Sequence, residues 1–229
     1  MTELADRTHS DRAATTANGQ GTRRSTRLPR DARRLQLLAA ASEVFVSRGY
    51  HAAGMDEIAE CAGVSKPVLY QHFPGKLELY RAVLTTYADD LVQKVRGALA
   101  SSSDNGERVH ASVAAYFDFV AGEGGGFRLI FESDLRSEPE AAAVVGKAQE
   151  RCIDAIAEAV TNDAGIDWAR ARVLAVGLVG LSRLGAQHWL DSDRSVPRDE
   201  AVALLSSLAW RGISGFPLVG GIGPGRSTS

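Results

Sequence analysis

Apolar residues along this chain recur three and four positions apart, and no stretch of convincing length alternates apolar with polar. The pattern predicts helices throughout and no sheet. Over residues 31–48, Leu35, Leu38, Ala41 and Phe45 form one stripe, Asp31 can help cap the start, and Gly49 ends the run. A short stripe follows in MDEIAECAG, where Met55, Ile58, Ala59 and Ala62 face one way until Gly63 supplies the positive φ of a sharp turn. A third segment has Ser65 at its N-cap and Pro67 in its first turn. After the Pro74-Gly75 turn, longer helices are predicted over 76–99, 107–121, 127–136, 139–162, 167–191 (with Asp167 as cap) and 198–214. SSSDNG at 101–106 and GEGGG at 122–126 are the main interruptions.

The third segment stands apart from the others. VSKPVLYQHF opens on Ser-Lys, closes on Tyr-Gln-His, and holds too few apolar residues to be core alone. Helix, tight turn and a short polar helix together form the helix-turn-helix pattern, whose second helix enters the major groove of DNA.

Charge supports a phosphate-facing end. The net charge is −2, but residues 1–76 carry +3 and the remainder −5. Residues 1–28 are rich in Thr, Ser, Arg and Ala and read as a disordered basic arm, with Arg23, Arg24, Arg27 and Arg30 at its end. Such an arm is either solvated or lies on phosphates and in the minor groove. The Gly- and Pro-rich stretch 217–229 reads as a flexible tail. Cys61 and Cys152 make no disulfide framework, the N-terminus lacks a signal-peptide core, and the apolar run 173–181 is too short to span a bilayer, so a cytoplasmic protein is expected. The five histidines (His9, His51, His72, His110, His188) lack metal-ligand spacing, and there is neither an HExxH nor a nucleophile elbow. GEGGG follows a helix and lacks a trailing Lys-Ser/Thr, so it is no phosphate loop; it relieves crowding between helices or provides a hinge. No catalytic site, metal or cofactor is expected.

At this point residues 37–80 resemble a known family. Leu37, Leu38, Ala40, Ala41, Phe45, Gly49 and Tyr50, then Ile58, Ala59, Gly63, Val64 and Ser65, then Tyr70, His72, Phe73, Lys76 and Leu79 resemble the DNA-binding domain of the TetR family of transcriptional regulators. The resemblance implies an all-α protein with a three-helix helix-turn-helix domain over 29–76. It implies a helical ligand-binding and dimerisation domain over 77–216, and a homodimer through the last two helices that binds a double-stranded DNA operator. The implied DNA contacts are Arg33, Arg34, Gly54, Ser65, Lys66, Pro67, Tyr70, Gln71, His72 and Lys76. Lys66 would reach a guanine edge or a phosphate, unless it is merely solvated; Pro67 would touch a thymine methyl or simply stiffen the turn; and Gln71 would pair with an adenine, unless it faces solvent. Tyr70, His72 and Lys76 would clamp phosphates, though His72 is also suited to holding the third helix against the fourth. Gly54 departs from the family, which usually has Thr or Ser there, so only its backbone amide can meet a phosphate. Cys61 reads as small packing in the second helix.

The body narrows the resemblance. FRLIFESD (127–134), CIDAI (152–156), RARVLAVGLVG (170–180) and HWLD (188–191) resemble an actinobacterial branch of the family that controls fatty-acid synthase genes and senses long-chain acyl-CoA. Under that reading Val113, Tyr116, Phe117, Val120, Phe127, Ile130, Phe131, Ile153, Ile156, Leu174 and Leu178 line an effector pocket, whereas composition alone makes most of them plain core. Arg128, Arg136, Lys147 and Arg151 would be surface residues or would meet CoA phosphates. The alternative is a TetR-type repressor of an efflux or catabolic operon with another lipophilic effector.

Overall fold

The computed structural model describes residues 28–122, 125–131 and 138–214. The predicted arm, apart from its last residue, and the predicted tail lie outside them. The described residues form nine helices and no strand: α1 (Arg30–Ala52), α2 (Met55–Cys61), α3 (Lys66–His72), α4 (Lys76–Ala100), α5 (Asn105–Ala121), α6 (Gly126–Phe131), α7 (Pro139–Ala164), α8 (Trp168–Asp191) and α9 (Arg198–Ser214).

Helices α1 to α3 pack into a small head. The buried stripe of α1 is Leu37, Ala40, Ala41, Val44 and Phe45, while Leu35 is 66% exposed. The expected stripe through Leu35 is therefore rotated: 37, 40, 41 and 44 meet α2 and α4, and the first turn lies beyond them. Asp31 does not cap α1, whose N-cap is Pro29 with no side-chain bond. Gly49 breaks the helix at φ 74, after which helical geometry resumes as far as Ala52. The α2–α3 turn closes as expected. Gly63 has φ 62, its N–H donates to Glu60 O at 2.9 Å, and Val64 N–H donates to Ala59 O at 3.0 Å, a Schellman closure. Ser65 is the N-cap of α3, but its hydroxyl makes no capping bond.

The 25-residue α4 starts under the head and runs the length of the body, packing most closely on α7 and α5. Near its start Tyr80 is fully buried, edge-on to both Phe45 and Tyr50 at 5.0 Å. Its hydroxyl donates to Leu129 O of α6 at 3.4 Å.

Helix α6 touches the head as well as the body, and two glycines allow it. A Cβ on Gly125 (φ +63) would sit 2.6 Å from Val46 Cγ1, and one on Gly126 would fall into the Tyr87 ring. Tyr87 shares a 2.6 Å hydrogen bond with Ser42 of α1. Of the two readings of GEGGG, relief of crowding holds at these positions. Gly126→Ala is expected to cost roughly 1–3 kcal/mol by overpacking. Gly97→Ala, in open space on the exposed face of α4, should gain about 0.5–1 kcal/mol. Urea unfolding of the two variants checks the pair.

Two caps fix the body helices. Asp104 accepts from Glu107 N–H at 2.8 Å at the start of α5, and Asp167 accepts from Arg170 N–H at 3.1 Å at the start of α8. Helix α7 runs two residues past the expected end, to Ala164, and closes on Gly165 at φ 63.

Candidate functional site

The polar pattern of α3 becomes a surface. Leu69 is buried and anchors the helix, while Ser65, Lys66, Pro67, Tyr70 and Gln71 are exposed together. His72 is half-buried, with its ring 6.5 Å from that of Phe73. Arg34 comes to the same end of α3, its guanidinium 4.4 Å from the Phe73 ring centroid. Arg33 donates to Gln36 Oε1 at 2.8 Å, and Gln36 donates to Ala62 O at 2.7 Å, tying α1 to the turn. Gly54 is the N-cap of α2, and a Cβ there would meet nothing within 4 Å, so the missing hydroxyl is not a matter of space.

Two lysines have partners that the sequence did not foretell. Lys76 donates to Ala53 O at 2.9 Å and His51 O at 3.1 Å, and lies 4.5 Å from the Tyr50 ring centroid. It pins the start of α4 to the α1–α2 junction, so its charge already has a structural use within the head. Lys66 Nζ lies 2.7 Å from Asp56 Oδ1 across the α2–α3 junction, with both side chains well exposed. That hydrogen bond holds the Lys66 ammonium above the usual lysine range. An exposed pair of this kind is weak and easily exchanged for a nucleic-acid partner. Lys66→Ala is expected to reduce specific DNA binding by roughly 1–3 kcal/mol if the lysine reads a base. Asp56→Asn should raise affinity for random duplex DNA and steepen its salt dependence by about one phosphate contact. Fluorescence anisotropy across a salt series checks both. Cys61, expected as packing, is exposed instead, with Sγ 3.6 Å from Glu43 Oε2.

The body contains a cavity of about 230 Å³. It sits at the end remote from the head, where α4 finishes, α5 begins and α7 ends. Its wall is mostly small and apolar: Leu99, Val109, Val113, Ile156, Ala159, Val160, Ala164 and Leu178, with Ser112, Ser182 and Trp210. Asn105, Arg108 and Asp163 are the polar residues at its rim. Of the expected pocket residues, Val113, Ile156 and Leu178 line it. Tyr116, Phe117, Val120, Phe127, Ile130, Phe131 and Ile153 are buried and do not border this cavity, nor does half-buried Leu174.

Several of them meet aromatic or cationic neighbours. Phe117 lies 5.4 Å from Trp189, Phe127 lies 5.1 Å from Phe131, and Arg183 caps Phe131 at 5.5 Å. Burial pushes the Tyr116 phenol far above its usual range, beside the Cys152 thiol. Space opens where the side chains are small, along Ala159, Val160 and Ala164 at the end of α7. Arg128 and Lys147 are exposed away from the cavity, Arg151 pairs with Asp89, and Arg136 lies outside the described residues. No group of His, Cys, Asp and Glu that could hold a metal ion occurs among the described residues.

Comparison with known proteins fits this geometry. Residues 37–83 match the family model described as bacterial regulatory proteins, tetR family, and residues 105–212 match the tetracyclin repressor-like C-terminal domain. The HTH-type transcriptional activator FasR of Mycolicibacterium smegmatis is 56% identical over 198 residues, covering 86% of this chain and 90% of that protein. The chain belongs to the TetR family of transcriptional regulators.

Solved structures agree on the fold. A TetR-family regulator from Streptomyces coelicolor aligns with a TM-score of 0.65 at 29% identity, covering 82% of each chain. Bacillus subtilis FadR, solved in complex with stearoyl-CoA, aligns with a TM-score of 0.65 at 17% identity, over 76% of this chain and 96% of that one. TetR-family regulators bind DNA operators and ligands, typically as dimers, and are not enzymes. On this TetR-family chain, α8 and α9 expose Val173, Val176, Leu184, Leu204 and Leu208, apolar side chains that the single chain leaves uncovered. No helix among the described residues is long and apolar enough to cross a membrane.

The rim residues Asn105, Arg108 and Asp163 escaped the sequence reading. Their signal was faint: a basic residue one turn into α5 and an acid one residue from the end of α7, 55 positions apart.

Proposed function

We propose that this TetR-family regulator acts in the cytoplasm as a homodimer, joined through α8 and α9, that binds an operator at fatty-acid synthesis genes and is released from it by long-chain acyl-CoA. The observation that carries the reading is the 56% identity with FasR along nearly all of both chains. A mostly apolar cavity with a polar rim supports it, since that shape suits an acyl chain with a hydrophilic head. The same fold holds stearoyl-CoA in the B. subtilis FadR protein.

The route from cavity to DNA runs along α4. Leu99, one residue from its end, forms part of the cavity wall, and Lys76, its first residue, is bonded to the carbonyls of His51 and Ala53 in the head. A chain that wedges the far end of α4 changes the spacing of the two heads. It shifts the population only as far as it binds one spacing better than the other. The relative is an activator, so release here would switch genes off.

Sequencing genomic fragments captured by the protein, with and without palmitoyl-CoA, tests this. Fragments beside fatty-acid synthesis genes should be recovered and then lost on adding palmitoyl-CoA. Capture of unrelated operons, or capture indifferent to palmitoyl-CoA, would overturn the reading.

A further inference from the structure

The cavity rim holds the least exposed ion pair among the described residues. Arg108 Nη2 lies 2.6 Å from Asp163 Oδ2, with the two side chains only 17% and 30% exposed, and it also donates to Asn105 Oδ1. All three residues border the cavity. The same guanidinium leaves its Nε–H buried with no hydrogen-bond partner among the described residues. A cation with an unused donor thus stands at the polar edge of a chamber whose interior is mostly apolar. Asp104 occupies the cap of α5 by accepting from Glu107 N–H, so an anion arriving here would be read by the Arg108 side chain rather than by free helix amides.

We propose that Asn105, Arg108 and Asp163 form the headgroup subsite of the cavity, taking the anionic group of a single-chain lipid whose apolar chain fills the space beyond. Asp163 serves as a built-in counter-ion that the ligand displaces. This rests on the reading of the cavity as a lipid site. Without ligand, Asp163 neutralises Arg108, which would otherwise be a half-buried charge without a partner. Asp163 lies in the last turn of α7, where the helix dipole disfavours a negative charge, so its attachment to Arg108 compensates for an unfavourable position. Its partial exposure lets it swing into water when a carboxylate or phosphate takes its place. The exchange swaps one charge-assisted pair for another, so the net affinity comes from the buried chain while the rim selects the kind of head. A neutral head leaves Asp163 in place and gains nothing from Arg108.

The test is a titration of the full chain with lauroyl-CoA, laurate and 1-dodecanol, followed by calorimetry below their aggregation concentrations. Asp163→Asn removes the competitor and is expected to tighten binding of the anionic probes about tenfold, leaving 1-dodecanol unchanged. Arg108→Gln is expected to bring the anionic probes down to the affinity of the alcohol. A gain confined to lauroyl-CoA or to laurate supports the subsite and identifies its anion as phosphate or carboxylate. If Asp163→Asn moves all three probes alike, or none, the subsite is overturned while the lipid cavity stands. If wild-type protein binds no probe, the cavity reading fails as well. Asp163→Ser, compared by circular dichroism and the same titration, keeps the result readable should the asparagine variant misfold.

Discussion

Phe117→Ala is expected to destabilise the protein by about 3–5 kcal/mol, the range for truncating a fully buried aromatic side chain. Phe117 has no exposed surface, packs its ring against Trp189 at 5.4 Å, and lies among Val113, Tyr116 and Val120 on the buried face of α5. Truncation would leave a void that the surrounding helices can only partly close. If Phe117 instead lined the effector cavity, its loss would enlarge an existing space, cost far less, and admit longer acyl chains. Urea unfolding at fixed protein concentration separates the two outcomes. A loss under about 1 kcal/mol, well below the core range, together with a shifted chain-length preference would return Phe117 to the ligand site.

The second large effect concerns the cavity itself. Val109→Trp is expected to leave operator binding intact and to remove the response to long-chain acyl-CoA. Val109 is half-buried in the cavity wall on α5, so an indole there can enter the empty space rather than displace packed core. Excluding four methylenes of a ligand would cost about 3 kcal/mol at roughly 0.8 kcal/mol each, more than a hundredfold in affinity. Leu178→Trp fills the same space from α8 and provides an independent check. Operator binding measured by anisotropy, with and without palmitoyl-CoA, reads both variants. Full ligand response in both would move the effector site elsewhere.

The contrast between head and body shows what a one-dimensional pattern carries. The head is governed by local rules: Gly63 for the turn, Pro67 for the first turn of α3, and Leu69 as the single buried anchor beneath an exposed Lys66, Tyr70 and Gln71. Each depends on neighbours within a few residues, so the sequence exposes the α3 surface almost completely. What it concealed there were contacts between distant positions. Lys66 with Asp56 and Lys76 with Ala53 are set by how helices cross, and no periodicity records that.

In the body the helices were readable from their stripes, and the all-α architecture followed. The position of empty space was not, because a cavity exists where side chains fail to meet. Large apolar residues drew attention to Phe117, Phe127 and Phe131, which pack on aromatic or cationic neighbours and do not border this cavity. The open space lies beside Ala159 and Ala164, residues too small to attract notice. The rotated stripe of α1 has the same origin. Leu35 and Leu37 are both apolar, and only the direction from which α2 and α4 approach decides that Leu37 is buried and Leu35 is not.

The central claim is a dimeric regulator that exchanges DNA for a long acyl chain. It is tested most directly by DNA release against a series of acyl-CoAs from short to long, using an operator duplex selected from random sequence by the protein itself. Release is expected to sharpen with each added methylene, by roughly 0.8 kcal/mol, until the cavity is full and then to weaken, with free CoA inert. Equal release by every length, or by none, would contradict the account.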